Sequence, residues 1–311
     1  MKKYSSIINK IKKKFEIPQE EKFLPANSGT HYKVFLSKNY VIRFHENNPE
    51  LLNREVVFLK TINHSLIPKI LFAGKIDGLD FMVENRLPGE TLNTSWKILD
   101  QKSKLNIAKQ IVSFIRFLRN ETGDNVYSIK NGKKYNSFQD CILDGIAEKI
   151  SKLKKNKQLN KVLKDLITII EDEKNKKVFI DNKITLVHGD LINHNLLIRD
   201  KKLTGVLDWE LAMWGDPDYD ISRLFYYQEC ARAYYEQGID ETFEADFIDT
   251  LATTIMESNL MEDKEKFWIK HRLLRAIFYI NSLYWALNSS NQRENFEEII
   301  NLWEAKKERV V

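Results

Sequence analysis

The sequence predicts an α+β protein with two lobes, a small β-rich N-terminal lobe and a larger, mostly helical C-terminal lobe. Three observations carry the prediction. Between Phe23 and Glu84, short β-rich runs alternate with turn residues around a single helical interruption. Leu87-Pro88-Gly89 then breaks that pattern, and beyond it apolar residues recur mainly at helical spacing. A chain of 311 residues is long enough for about two domains with real cores. The boundary is set near residue 86, giving lobes of 1–86 and 87–311.

Ile7, Ile8, Ile11 and Phe15 among lysines describe a short amphipathic helix with a basic outer face, expected to dock on the adjoining lobe rather than on a membrane. Tyr32 to Leu36 and Tyr40 to Phe44 flank Ser37-Lys38-Asn39 as a hairpin. Leu52, Val56 and Leu59 recur at helical spacing after Pro49, which suits a first turn. Lys69 to Ile76 and Leu79 to Glu84 flank Asp77-Gly78 as a second hairpin. The first lobe therefore reads strand, strand, helix, strand, strand. In the second, Leu105, Ala108, Ile111, Ile115 and Leu118 mark a helix that Asp100 can cap. Lys152 to Lys157 and Glu171 to Lys177 are charge-dense and read as solvated helix surfaces. Helices continue from Phe243 to Trp303, with Phe278, Tyr284 and Trp285 assigned to the core.

Hydrophobic residues make up 43% and charged residues 30% of the chain, with enough aromatic side chains to exclude global disorder. No apolar run approaches the ~18 residues of a membrane span, and the basic N-terminus lacks the apolar stretch of a secretory signal. The expectation is a cytoplasmic protein with no membrane partner. Cys141 and Cys230 stand in no metal-ligand spacing and read as small buried hydrophobes. The net charge of +5 is distributed unevenly: from Thr204 to Asp263 fifteen acidic residues face two basic ones, Arg223 and Arg232, a net −13 against +18 elsewhere. That segment argues against a nucleic-acid partner and for a cationic one. A solvated acidic surface is the alternative.

The most informative stretch runs from Leu186 to Asp220. An apolar entry leads to His188-Gly189-Asp190, then Asn195, the apolar Leu196-Leu197-Ile198, Val206-Leu207-Asp208-Trp209-Glu210 and Gly215-Asp216-Pro217. If Leu196 to Ile198 and Thr204 to Leu207 pair as a hairpin, Asn195 and Asp208 lie at its open end and can converge with Asp190. Magnesium takes oxygen ligands and usually one or two protein carboxylates together with nucleotide phosphates, a role that fits Asn195 and Asp208. Asp190 is placed to orient a hydroxyl and accept its proton.

His188-Gly189-Asp190, Asn195 five residues on and Asp208 thirteen beyond that resemble the catalytic core of the aminoglycoside phosphotransferase family, relatives of the eukaryotic protein kinases. Within it, Val206 to Trp209 and Ala212 to Asp216 look most like the hygromycin phosphotransferase branch. The resemblance runs from about Phe23 to Asp220 and more weakly to the C-terminus. It implies a bilobal protein-kinase-like fold. It further implies Asp190 as the group that orients or deprotonates the acceptor hydroxyl, Asn195 and Asp208 as magnesium ligands, and Asp220 as a brace for the catalytic loop beside His188.

On that resemblance, Arg43 occupies the position of the phosphate-binding lysine of protein kinases, and Glu55 is its expected ion-pair partner. The planar guanidinium can donate two hydrogen bonds to phosphate oxygens. Asn27-Ser28-Gly29-Thr30 lies where a nucleotide-covering loop belongs, so that Ser28 and neighbouring amides could cradle phosphates. Glu84 to Arg86 fall at the hinge, where backbone groups read the adenine or guanine edge. A cationic acceptor is expected to be drawn to Asp216, Asp218 and the carboxylates from Glu229 onward.

Ile192, two residues after Asp190, stands where serine/threonine kinases carry lysine, and no Ala-Pro-Glu motif follows Asp208. Both departures favour small-molecule over protein phosphorylation. The sequence thus predicts a magnesium-dependent kinase that moves the terminal phosphate of ATP or GTP to a hydroxyl of a small cationic acceptor such as an aminoglycoside. Choline, homoserine or sugar kinases of the same fold and a non-catalytic pseudokinase are the alternatives.

Overall fold

The computed structural model describes residues 2–26, 33–45, 48–174, 178–179, 183–236, 242–288 and 292–306. It divides into two compact units: Met1–Ser95 with Ile129–Gly132 and His194–Leu211, and Trp96–Ser128 with Lys133–Asn193 and Ala212–Val311. The first unit thus runs nine residues past the turn at 86 and takes in two later segments. One of these carries Asn195 and Asp208.

The first unit is built on a five-stranded antiparallel sheet in the order Leu24–Pro25, Lys33–Leu36, Tyr40–Phe44, Leu79–Asn85, Ile70–Ile76. Strand alternation sends Ile42, Phe44, Phe81 and Val83 to one face, where they pack with Ile7, Ile8 and Ile11 of helix Lys2–Lys14. The amphipathic N-terminal helix is therefore docked on its own lobe, as its pattern predicts. Met82 goes to the other face and packs with Leu52 and Val56 of helix Pro49–Leu59. Asn48 caps that helix by accepting the Leu51 amide. The Asp77-Gly78 turn has positive φ at both residues, 48° and 82°, which is the twist a two-residue hairpin requires. A second, three-stranded sheet places Leu196–Arg199 between Lys202–Val206 and Glu90–Thr91. Gly89 leads into it at φ 119°, where a Cβ would stand 2.5 Å from the Ile198 carbonyl oxygen.

In the second unit a four-stranded antiparallel sheet, ordered Lys133–Tyr135, Val126–Ser128, Met213–Gly215, Thr185–Val187, accompanies the main helical core. Asp100 caps helix Gln101–Asn120 by accepting the Ser103 amide. The 24-residue helix Lys264–Leu287 packs against helices Ile146–Leu153, Asn160–Lys174, Tyr219–Glu236 and Gln292–Lys306. Its Leu273, Leu274, Ile277, Phe278 and Ile280 sit inside an extensive apolar cluster. Among the described residues no helix is long and apolar enough to cross a membrane.

Four sequence expectations are corrected here. Trp285 is 66% exposed although it stands seven residues, nearly two full turns, from the buried Phe278: the helix is enclosed around residues 276–280, but near its end only Leu283 and Ala286 remain buried. Leu105 is exposed, the inward face being set by Ile107, Ala108 and Ile111. Glu173 is fully buried and pairs with Arg272 at 2.9 Å, so the 171–177 segment is not wholly a solvated surface. Cys141 and Cys230 are half-buried against the core rather than within it.

Inside this unit the ammonium of Lys270, itself 5% exposed, meets Asp216 Oδ2 at 2.9 Å and Asp218 Oδ2 at 2.7 Å. Burial pushes the Asp216 carboxyl upward and Lys270 opposes it. Lys270→Met removes the cation and leaves two buried carboxylates with less compensation, so it is expected to destabilise the fold by about 3–5 kcal/mol. Chemical denaturation checks this, with Lys264→Met, an exposed position on the same helix, as the control expected to stay within about 0.5 kcal/mol.

Candidate active site

Arg43 and Glu84 come to one face of the first sheet through register. Arg43 stands opposite Met82 and Val41 opposite Glu84 on adjacent strands, which makes Arg43 and Glu84 diagonal neighbours. Glu55 reaches the same face from helix Pro49–Leu59. Arg43 donates from Nη1 to Glu55 Oε1 at 2.7 Å and from Nη2 to Oε2 at 3.3 Å, a two-pronged pair between buried side chains. The resemblance-based pairing of Arg43 with Glu55 is the geometry found.

Strand pairing sets the other half of this cluster. Leu196 stands opposite Val206, and the Leu207 amide donates to the Asn195 carbonyl at 2.7 Å, so Asn195 and Asp208 flank the open end of the hairpin. Asp208 adopts φ 64°, a left-handed conformation that costs a non-glycine residue about 1–3 kcal/mol. Trp209 holds it there: its side chain is 1% exposed and its indole N–H donates to the Val206 carbonyl at 3.0 Å. Asp208 Oδ1 and Glu84 Oε2 are both buried and make no hydrogen bond. Burial pushes the Glu84 carboxyl up to about 7, Arg43 opposing the shift and the carboxylates of Glu55 and Asp208 adding to it.

An unsatisfied buried carboxylate oxygen is costly unless something else completes it. At Asp208 a divalent cation would do so, and the fit is chemically sound: a hard oxygen donor, with the Asn195 residue alongside. Among the described residues no three His, Cys, Asp or Glu side chains group as a metal site. The protein's share of a cation shell here would thus be small, with phosphate and water supplying the rest.

The predicted hinge groups divide. Arg86 donates its amide to the Asn39 carbonyl at 2.8 Å and its Nη1 to the Ser37 carbonyl at 2.6 Å. It therefore fastens the first hairpin through both its amide and its guanidinium. The Glu84 side chain belongs to the ionic cluster. Ser28 and its loop lie outside the described residues.

Asp190 lies in the second unit, on the loop that leaves strand Thr185–Val187. Asp220, in the first turn of helix Tyr219–Glu236, accepts the His188 amide on Oδ2 and the Gly189 amide on Oδ1, both at 2.8 Å. Burial pushes the Asp220 carboxyl up, while His188 and the two amides pull it down. Gly189 sits at φ 85°, open to glycine and strained for other residues. His188 is fully buried and accepts the Asp190 amide on Nδ1 at 3.2 Å. Sequence reading missed the groups on Asp190 itself: the Tyr227 hydroxyl donates to its Oδ1 at 2.6 Å, and Arg223 Nη2 stands 3.8 Å away. Spacing alone could have found them, since Asp220, Arg223 and Tyr227 are three and four residues apart on one helix.

The acceptor assignments of Asp216, Asp218 and Glu229 are corrected. Asp216 and Asp218 are held by Lys270, and Asp218 also accepts from Arg119 Nη1 at 2.9 Å. Glu229 accepts Arg275 Nε and Nη2 at 2.6 and 2.5 Å and the Tyr279 hydroxyl at 2.6 Å. Their charge is neutralised within the fold and is not presented to a ligand.

A family model described as the phosphotransferase enzyme family matches residues 22–254. The fold is similar to the crystal structure of aminoglycoside phosphotransferase APH(4)-Ia, with a TM-score of 0.70 and 16% identity over 97% of this chain and 99% of that one. ADP-bound aminoglycoside phosphotransferase APH(2'')-Ib gives a TM-score of 0.66 and 18% identity over 98% of this chain and 99% of that one. In sequence, 43 residues are 37% identical to hygromycin-B 4-O-kinase of Escherichia coli, a stretch that is 14% of this chain and 13% of that enzyme. The expectation of an aminoglycoside phosphotransferase-like, kinase-like fold is borne out, and with most of its length matched, the chain belongs to the phosphotransferase enzyme family.

Proposed function

We propose that the chain is a magnesium-dependent small-molecule kinase that transfers the terminal phosphate of ATP or GTP to a hydroxyl of an aminoglycoside. The observation that carries the reading is the buried, unpartnered Oδ1 of Asp208 in one ionic cluster with Arg43, Glu55 and Glu84. The solved relatives named for aminoglycoside phosphotransfer, among them one bound to ADP and one bound to gentamicin, support the acceptor class.

On this reading each group has a task. Glu55 aims the Arg43 fork, which donates to nucleotide phosphate oxygens. Asp208 and Asn195 would hold magnesium, which when bound neutralises charge on the phosphates. The Asp220 clamp fixes the loop, and Asp190 orients the attacking hydroxyl and accepts its proton. Phosphorus NMR of an aminoglycoside panel incubated with ATP or GTP tests the proposal. A new phosphate monoester on one member is expected; nucleotide turnover with none of them phosphorylated would overturn the acceptor class.

Asp208→Asn is expected to lower kcat by about 10²- to 10³-fold at saturating magnesium. Asp190→Asn is expected to lower kcat by about 10²-fold or more with nucleotide Kd unchanged. Arg43→Ala should instead raise nucleotide Kd by about tenfold, as a charge-assisted bond is lost. Steady-state kinetics with calorimetry separates these, and the reverse pattern would sink the division of roles.

Glu84 gives a pH prediction with a definite sign. Its folded pKa of about 7 lies above the ordinary 4.5, so the native state keeps a proton that the unfolded chain has already released. Stability from this group is complete below about 4.5, falls as pH rises through 7 and is level above it, a change of about 3 kcal/mol. The Tm advantage of Glu84→Gln over the parent should therefore grow between about pH 5 and 8. A pH-independent difference by calorimetry would refute it.

A further inference from the structure

We infer that Tyr227, steered by Arg223, is a positioning residue that sets the orientation of the Asp190 carboxylate toward the acceptor hydroxyl. The inference rests on the phosphotransfer reading and extends it to a pair of residues that the sequence motifs do not include.

The geometry is a short relay. Arg223 donates from Nε to the Tyr227 phenol oxygen at 3.1 Å, and the Tyr227 hydroxyl donates to Asp190 Oδ1 at 2.6 Å. The last bond falls in the short range of an O–H donor on a carboxylate. Arg223 Nη2, at 3.8 Å from the same oxygen, is too far for a hydrogen bond but close enough to favour the charge. The guanidinium is itself confined, lying 4.9 Å from the Tyr227 ring centroid and 5.0 Å from that of Phe278. Burial pushes the Tyr227 phenol upward, so it stays protonated and acts as a donor. A carboxylate on a loop turns about its terminal torsion with little resistance. Here one oxygen is pinned from the same helix whose Asp220 pins the backbone of residues 188 and 189. Asp220, Arg223 and Tyr227 thus fix both the loop and the functional group it carries. A tyrosine that served packing alone would not need its hydroxyl on the one carboxylate assigned to the attacking group.

The test is a double-mutant cycle on the full chain, using hygromycin B with ATP and magnesium, or water as acceptor in the slow hydrolysis of ATP. Tyr227→Phe is expected to lower kcat about tenfold or more, the loss of one charge-assisted hydrogen bond, with nucleotide Kd by calorimetry within about twofold. In an Asp190→Asn background the same substitution should change kcat by less than about twofold, because it acts through that carboxylate. Arg223→Lys, which removes the Nε donor and keeps the charge, should reproduce part of the effect and the same non-additivity, and it serves if Tyr227→Phe folds poorly. Wild-type kcat in Tyr227→Phe, or equal losses in both backgrounds, would overturn the inference. A full-rate Asp190→Asn enzyme would instead overturn the phosphotransfer role of Asp190, so the two failures are distinct.

Discussion

The loop that carries Asp190 depends on one carboxylate. Asp220 accepts two consecutive amides, His188 and Gly189, with both of its oxygens. Consecutive N–H groups can point to one acceptor only if the backbone turns sharply, and Gly189 at φ 85° supplies that turn. The constraint propagates in both directions. Upstream, strand Thr185–Val187 is paired with Met213–Gly215, which leads the chain to Asp216 and the helix start. Downstream, His188 receives the Asp190 amide, so the course of this loop is settled before the side chain of Asp190 is considered. Burial raises the Asp220 carboxyl and the two amides lower it, which is the balance expected of an acceptor whose desolvation is offset by hydrogen bonds.

The uneven charge along the chain has a structural explanation. Four carboxylates of the acidic stretch between residues 204 and 263 are paired inside the second unit with bases from outside that stretch: Asp216 and Asp218 with Lys270, Asp218 also with Arg119, Glu229 with Arg275, and Asp246 with Lys104. Charge counted along a sequence treats every carboxylate as available to a partner. Folding pairs these four first. The linear −13 is thus no measure of the field a ligand meets, and a cationic acceptor has to be recognised by other groups than Asp216, Asp218 and Glu229.

Legibility in the sequence followed sequence distance. The hairpins at Ser37 to Asn39 and Asp77-Gly78, the helix after Asn48 and the Asp100 cap are local, and local chemistry decides them. Asn195 and Asp208 were readable because a short hairpin joins them. The partner of Asp190 lies 37 residues away on another element, and those of Lys270 lie 52 and 54 away; composition shows such groups without showing what they meet. The contacts of Arg86 were hidden for the same reason, being set by a hairpin almost fifty residues earlier. Trp285 failed differently: helix periodicity over Lys264–Leu287 is weak because much of that helix is enclosed, so an aromatic near its end gave no directional signal.

The ionic cluster of the first unit is unbalanced by design of its register. Strand alternation brings Arg43 and Glu84 to one face, the helix adds Glu55, and the hairpin adds Asp208. One guanidinium then serves three carboxylates, and Glu55 takes two of its five N–H donors. Two remedies exist for the remaining negative charge: a proton or a cation. Glu84, buried and without an ion-pair partner of its own as close as that of Glu55, takes the first, being held by burial at about 7. Asp208, held in a left-handed backbone by the buried Trp209, keeps an oxygen with no hydrogen bond. Protonating Glu84 spares the site one negative charge without consuming Asp208. On the proposed reading this leaves Arg43 for the phosphates and Asp208 for the cation that accompanies them, so the cluster is completed by the substrate it is built to take.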